Sequence, residues 1–249
     1  MIDSVNIQFA SDADELARNA AGVLKTHSQD AILANGIFTI ALSGGSTPKR
    51  LYQLLADPNQ PFRDQFPWDQ THFFWTDERH VPPDHAESNY RMVLEAMLAH
   101  VPVPDANVHR MFSEKVDAHD TAFEYESQLR NFFNITSGES PRFDFVLLGL
   151  GTDGHTASIF PGSEVLQEKR RLVAAPFVEK LNTHRLTMTL PVLTRAASII
   201  FLVSGEEKAQ ILHDVLQGSQ PEFPAQAIKP TNGELTWLVD SAAAKLVTL

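Results

Sequence analysis

Apolar positions along the chain fall into short unbroken runs separated by stretches of helical spacing, and this alternation repeats. From Ile37 to Ser43 the run I-F-T-I-A-L-S is β-branched and apolar. It breaks at Gly44-Gly45, and after Pro48 the residues Leu51, Leu54 and Leu55 recur at the three-to-four-residue interval of a helix. His72 to Thr76 reads as a second strand, Asp77 to Asn89 as a polar loop, and Met92, Val93, Ala96 and Met97 as the apolar face of a further helix. Phe143 to Leu150 and Ser198 to Val203 have the near-continuous apolar character of strands buried on both faces, and the second precedes a helical pattern from Glu206 to Leu216. Arg185 to Leu190 alternates and is expected to be another strand. Strands alternating with helices imply right-handed crossovers, hence an α/β fold with a mainly parallel sheet covered by helices on both sides.

Composition narrows the class. Hydrophobic residues make up 43% and charged residues 20% of the chain, the balance of a packed globular protein. No repeat or low-complexity tract interrupts it, and the polar connectors Ala56 to Asp69, Ser137 to Arg142 and Gln217 to Pro224 have ordinary loop lengths, so residues 1–249 are expected to form a single domain. No apolar run approaches the ~18 residues that cross a bilayer. Met1 to Ala20 carries acidic residues where a signal peptide carries basic ones, and the expectation is a cytoplasmic protein with no membrane partner. The chain has no cysteine, which excludes disulfides, thiolate nucleophiles and cysteine-ligated zinc. A net charge of −11 argues against a nucleic-acid partner. A small anion remains compatible, provided backbone amides and a few Lys or Arg cluster locally.

Two loops supply such chemistry. Ser43-Gly44-Gly45-Ser46-Thr47-Pro48 lies where a strand ends and a helix begins, and glycines there let backbone N–H groups approach a phosphate. The Ser46 and Thr47 hydroxyls suit either a helix cap or extra donors to phosphate oxygens. The segment is neither a Walker loop nor a dinucleotide fingerprint, and by itself it is equally a capped turn. Gly149-Leu150-Gly151-Thr152-Asp153-Gly154-His155-Thr156 follows the most apolar strand, and ligands in parallel sheets collect beyond the carboxyl ends of strands. An imidazole there suits proton abstraction from water, with a carboxylate two residues away to orient it. The alternative is that Asp153 caps the next helix and His155 is a polar loop residue. Of ten histidines, His155 alone lies in a glycine-dense turn after a buried strand. No G-x-S-x-G elbow accompanies Ser46 or Ser158, and His80, Asp84 and His85 lack the spacing of a metal site, so neither a serine nucleophile nor a metal is expected.

Taken together, A-L-S-G-G-S-T-P at 41–48, W-T-D-E-R-H-V-P at 75–82, S-N-Y at 88–90 and G-L-G-T-D-G-H-T-A-S-I-F-P-G at 149–162 resemble the 6-phosphogluconolactonase family. R-L-T-M-T-L-P at 185–191, S-G-E-E-K-A at 204–209 and the ending around Trp237 and Asp240 extend the resemblance over nearly the whole chain. It implies the three-layer αβα architecture of glucosamine-6-phosphate deaminase and ribose-5-phosphate isomerase, and hydrolysis of 6-phospho-D-glucono-1,5-lactone in the pentose phosphate pathway. His155 is then the base that activates water, with Asp153 its partner. Ser43, Gly44, Gly45, Ser46 and Thr47, with Arg185 and Lys208, hold the phosphate, and Arg79 lies near the substrate's negative groups. The implied partner is a small sugar-phosphate lactone, without cofactor or metal, acting on a monomer or weak homodimer.

Some positions depart from that pattern. Leu150 and Thr152 stand where Met and Pro are frequent, and Glu179 to His184 lacks the prolines that often precede the R-L-T motif, which leaves open the local path to Arg185. Asp77 and Glu78 also offer Arg79 local ion pairing. The amino-sugar-phosphate deaminases share the glycine loop and the D-G-H turn, but Ala157-Ser158-Ile159-Phe160-Pro161 contains no acid to relay protons for isomerisation. A non-catalytic sugar-phosphate sensor would call for an appended interaction module, and no basic or helix-turn-helix segment occupies residues 1–36.

Overall fold

The β-branched and aromatic runs form strands within a few residues of where the pattern puts them. A computed structural model of the chain describes residues 6–218 and 223–248. Its strands in chain order are β1 (Asn6–Ala10), β2 (Phe38–Leu42), β3 (Thr71–Trp75), β4 (Asp77–Arg79), β5 (Val108–His109), β6 (Phe145–Leu148), β7 (Val173–Ala174), β8 (Phe177–Val178), β9 (Thr183–Met188), β10 (Ser198–Val203) and β11 (Glu234–Asp240). The helices are α1 (Ala13–Asn35), α2 (Ser46–Ala56), α3 (Pro61–Gln65), α4 (Asn89–Ala96), α5 (Ala118–Phe133), α6 (Leu190–Leu193) and α7 (Ala209–Gln217).

Seven strands build one sheet in the order β1-β11-β10-β6-β2-β3-β5, and every pairing in it is parallel. The architecture is a three-layer α/β sandwich around this sheet. Strands β2, β6 and β10 are buried along their whole length, which is why their sequences are apolar runs rather than alternating ones. From β2 the order proceeds to β3 and β5 on one side; from β6 it proceeds to β10, β11 and β1 on the other. The order in which strands are added therefore reverses between β2 and β6, which pair through Ile40 with Phe145 and Ala41 with Val146. Loops leaving two such strands diverge and open a crevice at their carboxyl ends.

A small antiparallel sheet, β4-β9-β7 with β8 also on β9, sits over that end. It hangs from the large sheet through Thr76, whose N–H donates to the Leu42 carbonyl at 2.8 Å and whose carbonyl accepts from Met188 at 2.7 Å. The stretch Asp77 to Asn89 is therefore not loop throughout. Its first three residues are β4, a charged strand that burial pattern alone does not reveal. The strand expected over Arg185 to Leu190 is Thr183–Met188, and Leu190 already belongs to α6. The helix expected from Glu206 opens with a 3-10 turn, Glu206–Lys208, before α7.

The long helix α1 has no counterpart in the sequence reading. It is started by the Asp12 side chain, which accepts from the Asp14 and Glu15 amides, and stopped by Gly36 at φ 81. Part of the Gln217 to Pro224 connector and the first residues of the Met1 to Ala20 stretch lie outside the described residues. Among the described residues no helix is long and apolar enough to cross a membrane.

At the β3–β5 edge the His109 ring stacks on Phe74 (4.3 Å between centroids) and its Nε2 lies 3.1 Å from Nδ1 of His72. Burial first, then the neighbouring His72, pulls His109 from its ordinary 6.5 down to about 4. The unfolded chain takes up this proton near 6.5 and the folded chain only near 4. Stability therefore falls as pH drops through that window and levels off below it. Urea unfolding of His109→Gln at about pH 7, 5.5 and 4 is expected to show a shallower loss than the parent chain. Parallel losses in the two proteins would remove His109 from the acid response.

Candidate active site

The loop after β2 is shaped by two close approaches. Tyr52 of α2 donates its hydroxyl to the Ser43 carbonyl at 2.8 Å, which fixes the end of the strand. A side chain at Gly44 would overlap the amide of Asn89, so only glycine fits there. Gly45 then turns at φ 107 and N-caps α2 without any side-chain cap bond. The capping role considered for Ser46 and Thr47 is not realised: both lie in the first helical turn, where their amides have no intrahelical acceptor. The buried Ser43 hydroxyl has no partner within the described protein.

The loop after β6 folds back on itself. The Gly151 N–H donates to the His155 carbonyl at 2.9 Å, the Gly154 N–H donates to the Gly151 carbonyl at 3.0 Å, and the Thr156 hydroxyl ties the return to the Gly149 carbonyl at 2.9 Å. Asp153 Oδ1 accepts from the His155 backbone N–H (3.2 Å) and lies 2.5 Å from His155 Nδ1. No α-helix follows that Asp153 could cap; the chain turns through Thr156 and Ile159 instead. With Nδ1 engaged by a carboxylate, the hydrogen-bond pattern assigns the proton to Nδ1 and leaves the Nε2 lone pair unclaimed. The imidazole packs against Phe160, 4.4 Å between centroids, and is 31% exposed, so solvent reaches it. Burial would raise the Asp153 carboxyl, but hydrogen bonds from Lys180 and His155 outweigh it and bring the group to about 2.

Both loops face one cavity of about 430 Å³, within the usual range for small-ligand sites. Of the residues that the sequence singles out, Ser43, Gly44, Gly45, Ser46, Thr47, Arg79, His155, Arg185 and Lys208 all line it. Asp153 stands behind His155. Arg79 and Arg185 are directly opposite each other across the β4–β9 pair, an arrangement of like charges that costs stability unless an anion lies between them. Burial, then the proximity of Arg79, lowers the Arg185 pKa from its ordinary value. The path to Arg185 that the missing prolines left open is a 3-10 turn, Glu179–Leu181, ended by Asn182 at φ 50. The Arg185 N–H then donates to the Pro176 carbonyl at 3.0 Å.

Neither acid beside Arg79 pairs with its side chain. Asp77 Oδ2 accepts from the Ser158 hydroxyl at 2.7 Å. Glu78, 1% exposed, points to the other side of β4 and accepts from the backbone N–H groups of Arg79, Asn89 and Tyr90 (2.7–2.8 Å) and from the Ser88 hydroxyl (3.1 Å). It thereby pins the start of α4, and Asn89 with it, to β4. On the far side, Asp240 at the end of β11 holds the Ser204 hydroxyl at 2.5 Å and the Gly205 N–H at 3.2 Å, fixing the turn that presents Lys208. Among the described residues Arg79, Arg185 and Lys208 form no salt bridge. Three cations and a helix start thus face the cavity without carboxylate partners, while the carboxylates around them bind hydroxyls and backbone. Such an arrangement suits a multiply charged oxyanion and puts a solvent-reachable imidazole in the same cavity.

The sequence reading did not place Asp77, Asn89, Ser158, Phe160 and Lys180 in the site, yet all five line the cavity. The motifs contain the first four, but their convergence on one cavity comes from the fold.

The family described as "Glucosamine-6-phosphate isomerases/6-phosphogluconolactonase" matches residues 11–237. The chain belongs to this family. It is 42% identical over 232 residues to a 6-phosphogluconolactonase from Synechocystis sp., covering 92% of this chain and 93% of that one. It is 36% identical over 251 residues to the 6-phosphogluconolactonase of Rattus norvegicus, covering 98% and 94%. Its fold superposes on the 6-phosphogluconolactonase from Trypanosoma cruzi with a TM-score of 0.87 at 31% identity, over 100% of this chain and 99% of that one. A monomeric glucosamine-6-phosphate deaminase shares the fold at a TM-score of 0.78 and 22% identity, covering 97% of this chain and 100% of that one.

A side chain at Gly151 would overlap the His155 imidazole, and the Gly151 backbone lies outside the left-handed region. Gly151→Ala is therefore expected to displace the ring without straining the main chain. The expected result is loss of the downfield His155 Nδ1–H resonance in proton NMR, with the melting temperature shifted by no more than about 5 °C. An unaltered resonance would show that the loop accommodates the methyl group with the pair intact.

Proposed function

We propose that this protein hydrolyses 6-phospho-D-glucono-1,5-lactone to 6-phospho-D-gluconate in the pentose phosphate pathway, with His155 as the general base that activates water. The observation that carries this reading is the meeting in one cavity of cations that form no salt bridge among the described residues, a helix start without a side-chain cap, and an imidazole whose Nδ1 is held by Asp153. Relatives named 6-phosphogluconolactonase that span nearly the same length support the substrate. Residues from Ser43 to Lys208 contribute to the one cavity, which supports reading residues 1–249 as a single catalytic unit.

The phosphate lies against the Ser43 to Thr47 loop, Arg185 and Lys208, with Arg79 near the substrate's negative groups. Arginine can fork onto two oxygens and lysine supplies a point charge. Anchoring this remote group holds the lactone carbonyl, C1, against a water beside His155. The water oxygen bonds to C1 as its proton passes to Nε2, and the carbonyl oxygen becomes an alkoxide. Collapse of that intermediate breaks the bond between C1 and the ring oxygen, and the imidazolium returns its proton to the departing oxygen. Asp153 stays ionised over the neutral range, so it steadies both the neutral and the charged ring. A serine nucleophile is not needed: Ser158 is 2% exposed and its hydroxyl is bound to Asp77.

Acid release from 6-phosphogluconolactone, corrected for spontaneous opening, is expected to fall at least ~100-fold in His155→Ala while 6-phosphogluconate binding stays within about twofold. Undiminished turnover in that variant would remove His155 from the mechanism. In Lys208→Ala the expected change is a KM raised by about fivefold or more with kcat nearly preserved, and an unchanged KM would count against its phosphate role. The parent protein given glucosamine 6-phosphate is expected to release no ammonium; release at a comparable rate would favour the deaminase reading.

A further inference from the structure

Lys180 contributes to none of the motifs, yet its side chain is built into the catalytic end of the cavity. It rises from the Glu179–Leu181 turn, and its ammonium pairs with Asp153 Oδ2. The same ammonium lies 4.4 Å from the centroid of the Phe160 ring, and that ring in turn packs against His155. The two oxygens of Asp153 are thus divided: Oδ1 takes His155, Oδ2 takes Lys180. An exposed ion pair is ordinarily worth little, and the Lys180 side chain is 53% exposed. Here the partner carboxylate is only 32% exposed, and the cation is also fixed over an aromatic face.

We propose that Lys180 is a positioning residue that fixes Asp153 in the orientation required by His155, holding its carboxylate against Nδ1. The inference rests on the reading of His155 as general base. A carboxylate alone beside an imidazole favours the imidazolium, which is no longer a base. A cation on the second carboxylate oxygen offsets that pull and also removes the carboxylate's freedom to rotate away from Nδ1. The other charged groups lining the cavity that His155 faces are Asp77 and Arg79 from β4, Arg185 from β9 and Lys208 from the turn before α7. Among the described residues Lys180 is the one cation that bonds to Asp153.

The test compares the parent protein with Lys180→Met, Lys180→Gln and Lys180→Arg, measuring kcat and KM on 6-phosphogluconolactone from about pH 5.5 to 8.5. His155 is titrated by NMR in each protein. In the two neutral variants kcat near pH 6.5 is expected to fall roughly 3- to 10-fold with KM within about twofold. The acid limb of kcat/KM and the NMR midpoint are both expected to move up by about 0.5–1 pH unit, the effect of removing one nearby charge. Lys180→Arg restores both. An unmoved profile with parental kcat overturns the inference, and so does a raised KM on an unmoved profile, which would make Lys180 a direct substrate contact. Failure of both neutral variants to fold also overturns it, because a side chain acting only through Asp153 has no core role. His155→Ala assayed alongside separates the two readings: full activity there sinks the general base and leaves the NMR shift to judge Lys180. An inactive His155→Ala with unmoved Lys180 variants sinks Lys180 alone.

Discussion

The site depends on the pairing of β2 with β6. These strands are neighbours in the sheet although about a hundred residues separate them in sequence, and the chain runs outward from them in opposite directions. A loop that leaves β2 and a loop that leaves β6 cannot continue side by side; they must part, and the gap between them is the cavity. That constraint brings the Gly44-Gly45 turn and the His155 turn to one place. Two registered residue pairs set their separation, and the strand interiors are buried throughout. A slip of either strand would turn its core face toward the wrong layer, so packing of the sheet guards the spacing between the two loops.

Around this gap the electrostatics are sorted by what each charge is given to do. The chain carries a net charge of −11, yet the cavity presents Arg79, Arg185 and Lys208 without salt-bridge partners among the described residues. Nearby acids would cancel them if their carboxylates were free. They are occupied instead: Glu78 by backbone amides at the start of α4, Asp77 by Ser158, Asp240 by Ser204 and Gly205. Burial pushes the Glu78 carboxyl above its ordinary value despite three amide donors. This sorting turns acids into braces and leaves the cations for a ligand. An acidic exterior around a cationic cavity also discourages polyanions, while a small phosphate ester still fits.

Much of this was legible in the sequence, for reasons that differ by element. Strands such as Ser198–Val203 declare themselves because burial on both faces leaves an unbroken apolar run. The loop residues declare themselves because glycine at 44, 45 and 151 answers local steric needs, and Arg185 and Lys208 sit in motifs. Strand β4 did not, because Asp-Glu-Arg carries no apolar signal; its strand character comes from β9, about a hundred positions further along the chain and itself only loosely marked. Lys180 was invisible for a related reason. It lies in the stretch that departs from the familiar proline pattern, and only the fold of that turn carries its ammonium to Asp153. The capping role open to Ser46 and Thr47 failed because Gly45 took the cap position one residue earlier.

The division between the two ends of the cavity also explains why modest chemistry suffices. A lactone is an activated acyl group whose leaving oxygen stays tethered to the product, so a base and a positioned water can open it without a covalent intermediate. The demand shifts to orientation: the carbonyl must meet water at the imidazole in one attitude. In the proposed reading, a phosphate gripped by a helix start and several cations supplies that orientation from a part of the substrate that does not react. The same anchor grips substrate and product alike, and uniform binding of that kind does not accelerate the chemical step. In the proposed mechanism acceleration must therefore come from His155 with Asp153, whose geometry is set by a turn of glycines rather than by the sheet. The rigid strands fix where the cavity opens, and the tight turn fixes which imidazole nitrogen Asp153 engages.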